Sequence, residues 1–290
     1  MIYTLKNEVL TVKIAARGAE LRSCVSNADG CEYLWQRDPA YWRDTSPWLF
    51  PICSNLYQKQ YTYRGKTYPM GQHGFASKCV FEAVSVSDTA IKLLLLPNEQ
   101  TRACYPFDFA FTVSYRLVEN RLECKATIEN RGEEMMYATV GAHPGFNVPL
   151  GGEGEYTDWY LEFGEKCSPD AVVFTEEMCD SGKRAPYDLT DGKKLMLSHE
   201  LFLIDGVFLT GVPGSVTLRS DKATHKVTVT YGNVPYVGVW SSDNGGAFVC
   251  VEPWHGMASY KGAYAIEEKN NMFRMAAGDE KSFDMTITFD

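Results

Sequence analysis

Short runs in which apolar and polar residues alternate, separated by turn residues, recur along most of this chain. A period of two is that of a half-buried strand, whose successive side chains point to opposite faces; a helix would repeat its apolar stripe about every 3.6 residues. Residues 60–63 and 66–68 flank Arg64-Gly65, the signature of a two-residue hairpin loop. Residues 80–86 and 90–96 flank Ser87-Asp88-Thr89, and residues 109–118 and 121–129 flank Glu119-Asn120. Residues 215–219 and 226–231 bracket a further polar turn, residues 283–289 alternate at the C-terminus, and residues 5–14 read as a strand with a tight turn at Asn7-Glu8. Tyr, Phe, Val and Thr are plentiful in these runs, as pleated surfaces prefer. Helical signals are few. Asp38-Pro39-Ala40-Tyr41-Trp42 has Asp as N-cap and Pro at the first position of one turn, and residues 198–202 resemble another. With no alternation of strands and helices, a parallel α/β fold is disfavoured. The pattern predicts an all-β protein of large, twisted antiparallel sheets with few short helices.

No linker, composition shift or repeat divides the 290 residues, so residues 1–290 are expected to form a single domain. With 45% hydrophobic and 22% charged residues, global disorder is excluded and the chain can bury a core without staples. The balance of 28 Lys+Arg against 37 Asp+Glu gives a net charge of −9, and no basic run stands out, so nucleic acid is not an expected partner. The N-terminus lacks the basic and apolar regions of a signal peptide, and no apolar run approaches the roughly 18 residues of a membrane helix. A cytoplasmic protein without a membrane partner is the simplest expectation. The nine cysteines are odd in number and contain no CxxC pair, which predicts reduced, mostly buried thiols with neither a disulfide framework nor a structural zinc site.

Four segments carry titratable residues beside turn or strand-end signals. In Gln72-His73-Gly74-Phe75-Ala76 the glycine permits close approach to a ligand, while a histidine satisfied by backbone groups is the commoner outcome. In Gly141-Ala142-His143-Pro144-Gly145-Phe146-Asn147, Pro144 biases His143 towards extended backbone and the glycines clear space around the imidazole. Such a framed histidine suits proton transfer, and an incidental loop histidine explains it equally well. In residues 248–256 an apolar strand ends on Glu252-Pro253-Trp254; a desolvated carboxylate is a stronger base, and a strand-end ion pair is the alternative. Asp205-Gly206 either offers a carboxylate to a ligand's hydroxyls or caps a turn. No HExxH, GxSxG, GxxxxGK[ST] or GxGxxG pattern is present, so no metal or nucleotide cofactor is expected.

Taken together, Ala16-Arg17-Gly18-Ala19-Glu20-Leu21, Tyr33-Leu34-Trp35, residues 47–52, residues 68–76, Gly141-Ala142-His143-Pro144-Gly145-Phe146 and Val251-Glu252-Pro253-Trp254 resemble the aldose 1-epimerase (galactose mutarotase) family along nearly the whole chain. The resemblance implies a galactose mutarotase-like β-supersandwich, a small-molecule aldose or sugar derivative as partner, and interconversion of α and β anomers by ring opening and closure. It implies Glu252 as base, His143 as acid, His73 as a second imidazole near the ring oxygen, and Asp205 as a grip on distal hydroxyls. Trp254 is placed either against the sugar or in the core. Relatives commonly carry an arginine where this chain has Asn55 and another where it has Ser77-Lys78. Asn55 can bond a hydroxyl but cannot replace a guanidinium fork. These departures keep open a sugar-binding or sensing protein on the same fold, or an epimerase of a phosphorylated or unusual sugar, with Arg43, Lys59, Arg64 and Lys78 as compensating cations. A monomer or a homodimer is expected.

Overall fold

The computed structural model covers Met1–Asp290. Two large antiparallel sheets dominate it. The nine-stranded sheet runs Lys194–Met196, Trp159–Phe163, Ser215–Ser220, Val227–Thr230, Glu280–Phe289, Arg121–Asn130, Phe109–Val118, Ala90–Leu95 and Glu82–Val86 in spatial order. The eight-stranded sheet runs Asp180–Pro186, Asp170–Phe174, Val207–Thr210, Tyr236–Trp240, Phe248–Trp254, Gly141–Ala142 and Trp48–Leu49, with Gly145–Asn147 also paired to Phe248–Trp254. A three-stranded sheet of Ile2–Lys6, Leu10–Ala15 and Glu20–Ser26, the hairpin of Gln60–Tyr63 and Lys66–Pro69, and the long-range pair Met136–Ala138 with Phe273–Met275 complete the strands. This is the all-β architecture that the alternation predicts.

The hairpins follow their turn residues. Arg64 and Gly65 both have positive φ, 48° and 74°, as a two-residue loop with the twist of its flanking strands requires, and Tyr63 pairs with Lys66 across it. Phe109–Val118 and Arg121–Asn130 pair along their whole length around Glu119-Asn120. In residues 5–14 the expected turn at Asn7-Glu8 is present, and it joins two paired strands instead of interrupting one. The chain reverses at Asn7, whose side chain accepts the N–H groups of Val9 and Leu10, so that Ile2–Lys6 pairs back onto Leu10–Ala15. At residues 38–42 there is a single turn, with the Asp38 carboxylate accepting the Ala40 N–H, and His199–Phe202 forms a 3₁₀ turn. The one α-helix, Glu99–Cys104, is capped reciprocally by Asn98 and Thr101. No helix is long and apolar enough to cross a membrane. All nine cysteines are free thiols.

Most of the core is one cluster of 64 buried residues drawn from both large sheets. Phe248–Trp254 is buried along its whole length because both its faces are covered. Val249 and Val251 point into the main core, as do Val237, Val239 and Leu209 from the adjacent strands. The alternate residues face the other way. There Phe248 and Cys250 join Trp35, while Trp254 joins Phe208, Tyr236, Leu49, Cys53, Val172 and Met257. By the same pleat Glu252 projects from this second face, between the two small clusters.

The segment 71–76 is clamped onto this face. The Phe50 carbonyl accepts the N–H groups of both Phe75 and Ala76, and Gly74 lies so close above it that a Cβ there would stand 2.2 Å from the carbonyl oxygen. Gly74 also has a φ of +75°, a conformation open to glycine and strained for other residues. Gly74→Ala is therefore expected to destabilise the fold by about 3 kcal/mol or more, through backbone strain plus displacement of the segment. Chemical denaturation compared with Gly262→Ala, where φ is +81° but nothing lies within 4 Å, separates the contact from the strain.

Candidate active site

The residues on this second face open onto a cleft of about 550 Å³, within the roughly 300–1,000 Å³ typical of small-molecule sites. Its lining includes Glu252, His143, His73, Asp205 and Trp254. A more open depression of about 620 Å³ around Asp29, Trp35 and His225 holds none of these residues.

Register brings Glu252 and His143 together. Gly141 pairs with Trp254 and Gly145 with Cys250, so His143, in the gap between the two short strands Gly141–Ala142 and Gly145–Asn147, occupies the position opposite Glu252. Pro144 and Pro253 lack N–H groups and interrupt the ladder between those two pairs. The segment is held there by the Val251 N–H donating to the Pro144 carbonyl and the Trp254 Nε1–H donating to the Ala142 carbonyl. His143 Nε2 lies 3.2 Å from Glu252 Oε2, without the alignment of a hydrogen bond. Both carboxylate oxygens and His143 Nδ1 lack a hydrogen-bond partner, although Glu252 is only 1% exposed and His143 7%. Gly238 stands opposite Glu252 on the other side, and Phe208 packs over it; a Cβ at 238 would meet the Phe208 ring at 2.7 Å.

An aromatic enclosure fixes the imidazole. Trp42 stacks on His143 with ring centroids 5.0 Å apart, and Trp240 meets it edge-on at 5.6 Å. Trp42 is held in place by its neighbours. Its carbonyl accepts the Trp35 Nε1–H, and the Gly145 N–H donates to the Thr45 carbonyl. The N–H groups of Thr45 and Ser46 in turn donate to the buried Glu20 carboxylate, which pairs with Arg22 at 2.6 Å.

His73 adopts a left-handed φ of 61°. Its own N–H donates to the Ser54 carbonyl, while its Nδ1 accepts the Ser54 N–H at 3.1 Å. An accepting Nδ1 in a neutral imidazole places the proton on Nε2, leaving that N–H available to the cleft. Burial, aided by the nearby Lys78 cation, lowers its pKa to about 4, so His73 is a neutral donor at physiological pH.

The pair at the centre is tuned in opposite directions. Burial, with Asp205 adding its charge, raises the Glu252 carboxyl well above its ordinary value. Burial, with His73 beside it, lowers His143 well below. Two groups 3.2 Å apart and shifted in this way share one proton between pH regimes that would strip or fill both. Asp205 is raised by burial and its Oδ1 accepts the Gly206 N–H at 2.7 Å.

Of the six residues singled out in the sequence, five line the cleft and Asn55 does not. The reason is local. Ser54 takes a φ of 59° and itself lines the cleft, while the Asn55 carbonyl turns away to accept the Ser259 N–H. Of the four cations named there, Lys59 and Lys78 line the cleft, whereas Arg43 does not and Arg64 pairs with Glu134. Trp42 closes the turn at residues 38–42, but nothing in the sequence marks it, Trp240 or Phe208 as a site residue. Only the pairing of distant strands brings them to His143 and Glu252.

The family model for aldose 1-epimerase matches residues 1–288. The chain is 34% identical over 299 aligned positions to the chromosomal Protein LacX of Lactococcus lactis subsp. lactis, covering 99% of both chains, and equally so to its plasmid counterpart. Among solved structures it is similar to a galactose mutarotase related enzyme from Lactobacillus acidophilus. The two share 34% identity with a TM-score of 0.95, covering 100% of this chain and 97% of that one. It is also similar to a galactose mutarotase-like protein from Lactobacillus casei, with 29% identity, a TM-score of 0.92 and full coverage of both. With the whole length matched, and with the β-supersandwich and its cleft in place, this chain belongs to the aldose 1-epimerase family.

Proposed function

We propose that this protein is an aldose 1-epimerase that interconverts the α and β anomers of a sugar by acid–base catalysis. The observation that carries this reading is the desolvated Glu252 carboxyl facing His143 at 3.2 Å in a cleft that also presents the His73 donor. Mutarotation needs a base to take the C1 hydroxyl proton and an acid to protonate the ring oxygen as the C1–O5 bond breaks. Glu252 and His143 are suited to these roles in a pair that carries one proton. In the free enzyme burial disfavours the charged form of both groups, raising the Glu252 carboxyl and lowering His143. A bound sugar offers hydroxyl donors to the carboxylate, and such bonds favour its charged form. The proton then sits on His143, poised for O5. The His73 Nε2–H steadies the ring oxygen or an adjacent hydroxyl, Asp205 accepts from distal hydroxyls, and the sugar's apolar face meets the tryptophans. After rotation about C1–C2 the ring closes on the other face and both protons return. Each transfer contributes roughly 10²–10⁴-fold.

NMR anomer exchange with glucose, galactose, xylose and arabinose tests the proposal: at least one exchange is expected to accelerate. Binding without acceleration would support a sugar-binding protein instead. The pH profile of kcat/KM is a second check. The active pair holds one proton, so activity is expected to be bell-shaped. Its acid limb lies below the ordinary histidine value of 6.5 and its alkaline limb above the ordinary carboxylate value of 4.5. An acid limb at or above pH 6.5 would contradict the shared proton.

One observation favours a second reading, an anionic sugar such as a sugar phosphate. Lys59 and Lys78 line the cleft, and neither forms an ion pair with a carboxylate. If the substrate is phosphorylated, replacing both lysines by Met is expected to raise KM for the phosphosugar about tenfold or more while leaving a neutral aldose unaffected. Equal effects on both sugars would discard this reading.

A further inference from the structure

We propose that His143, Cys250 and Glu252 form a binding site for a thiophilic divalent cation of the zinc type, where His143 and Glu252 line the cleft and Cys250 is buried beside them. Two of the side chains come from one strand and the third from the gap between the two short strands paired with it. Cys250 and Glu252 are two residues apart and so share one face of Phe248–Trp254, and His143 stands opposite Glu252. One ligand atom from each lies within 4.8 Å of the other two, and all three residues are buried. Ligand atoms about 2.0–2.3 Å from a tetrahedral zinc ion stand roughly 3.2–3.7 Å from one another. The 3.2 Å between His143 Nε2 and Glu252 Oε2 is already such an edge. A second, independent observation points to a ligand: both oxygens of Glu252 are without a hydrogen-bond donor at 1% exposure. Buried polar atoms normally have a partner, and a cation would supply one.

The donor set, one imidazole, one thiolate and one carboxylate, suits zinc better than magnesium or calcium, which take oxygen ligands. Binding forms one metal–nitrogen, one metal–sulfur and one metal–oxygen bond. It releases the Cys250 thiol proton, and the proton shared by Glu252 and His143, to solvent, so the two positive charges of the ion are balanced by thiolate and carboxylate. Three protein ligands leave a fourth position facing the cleft, for water or a sugar hydroxyl. The site escapes a search for ligand spacing along the chain because the pleat and the strand pairing assemble it. Its consequence is inhibition, since the ion occupies the two groups assigned to proton transfer. That consequence rests on the proposed epimerase reading; the binding itself does not.

The test is titration of the full-length protein with Co²⁺, a spectroscopic substitute for zinc, in wild type, Cys250→Ala and Cys250→Ser. Wild type is expected to take up one ion per chain with a thiolate-to-cobalt charge-transfer band that Zn²⁺ abolishes. Both variants are expected to lose the band and to bind Zn²⁺ at least about tenfold more weakly, since even outer-shell partners of a metal contribute about that much. Having two variants keeps the comparison valid if the smaller side chain impairs folding. A band of equal strength in both variants, arising from the other cysteines, would overturn the proposal, as would no cobalt uptake by wild type. Where anomer exchange is measurable, Zn²⁺ is expected to suppress it in wild type and to do so at least about tenfold less effectively in the variants. Cobalt binding at Cys250 without suppression would leave the site standing and overturn the assignment of Glu252 and His143 to catalysis.

Discussion

Glu252→Gln is expected to reduce catalysed anomer exchange by about 10³-fold or more, with the fold intact. Gln keeps the length and planar shape of Glu but cannot take a proton. The shared proton disappears with it, so both the base and the recharging of the acid are lost in one substitution. Stability is expected to move the other way. Folding raises the Glu252 pKa, so the native state binds the proton more tightly than the unfolded chain does. The sign follows from linkage. That group's contribution is fully present below the ordinary value of 4.5 and is lost as pH rises towards the higher folded value. At neutral pH wild type either retains a proton that the unfolded chain would release or buries a carboxylate without donors. Gln does neither, so the variant's Tm at pH 7 is expected to equal or exceed that of wild type, and the difference is expected to vanish near pH 4. NMR exchange rates and thermal unfolding on the same samples check both. Near-wild-type exchange would sink the base assignment, and a lower Tm at pH 7 would show that Glu252 supports the fold through contacts that Gln cannot reproduce.

How far the fold can be read from the sequence depends on whether a strand's two faces differ. Phe109–Val118, Arg121–Asn130 and Glu280–Phe289 sit in a sheet with one face on the core and one towards solvent, so their alternation is visible and their bounds follow closely. Phe248–Trp254 is covered on both faces and shows only an apolar run ending on Glu252; nothing in it says which face Glu252 takes. The helix Glu99–Cys104 is too short for a periodic stripe, and its cap is Asn98 with Thr101 instead of the Ser/Thr-x-x-Glu signature. In the site, the glycines and prolines around His143 are legible because they restrict the backbone locally. The stacking of Trp42 is not, because it depends on a chain of contacts through Glu20, Thr45 and Gly145. Asn55 illustrates the opposite error. The family resemblance sets it where relatives commonly carry an arginine, but one left-handed residue at Ser54 accompanies a turn that leaves it outside the cleft.

His143→Asn separates catalysis from binding at the same site. Asn is neutral, fits within the space left by the imidazole and can still donate one hydrogen bond, but it cannot carry the proton from Glu252 to O5. The expected loss is about 10²–10⁴-fold in kcat with KM within a few-fold of wild type. The loss is expected to be smaller than in Glu252→Gln, because the carboxylate still acts as base and the neutral His73 N–H still faces the ring oxygen. Stability argues for a clean comparison. His143 Nδ1 has no hydrogen-bond partner, so the substitution breaks no hydrogen bond there, while the Asn amide places polar atoms in the same space. The stacking on Trp42 that is lost with the ring is worth about 0.5–1.5 kcal/mol. A large fall in Tm would make the kinetic loss structural. A change confined to KM would mark His143 as a residue that holds the sugar, and would move the acid's role to His73, the other imidazole in the cleft.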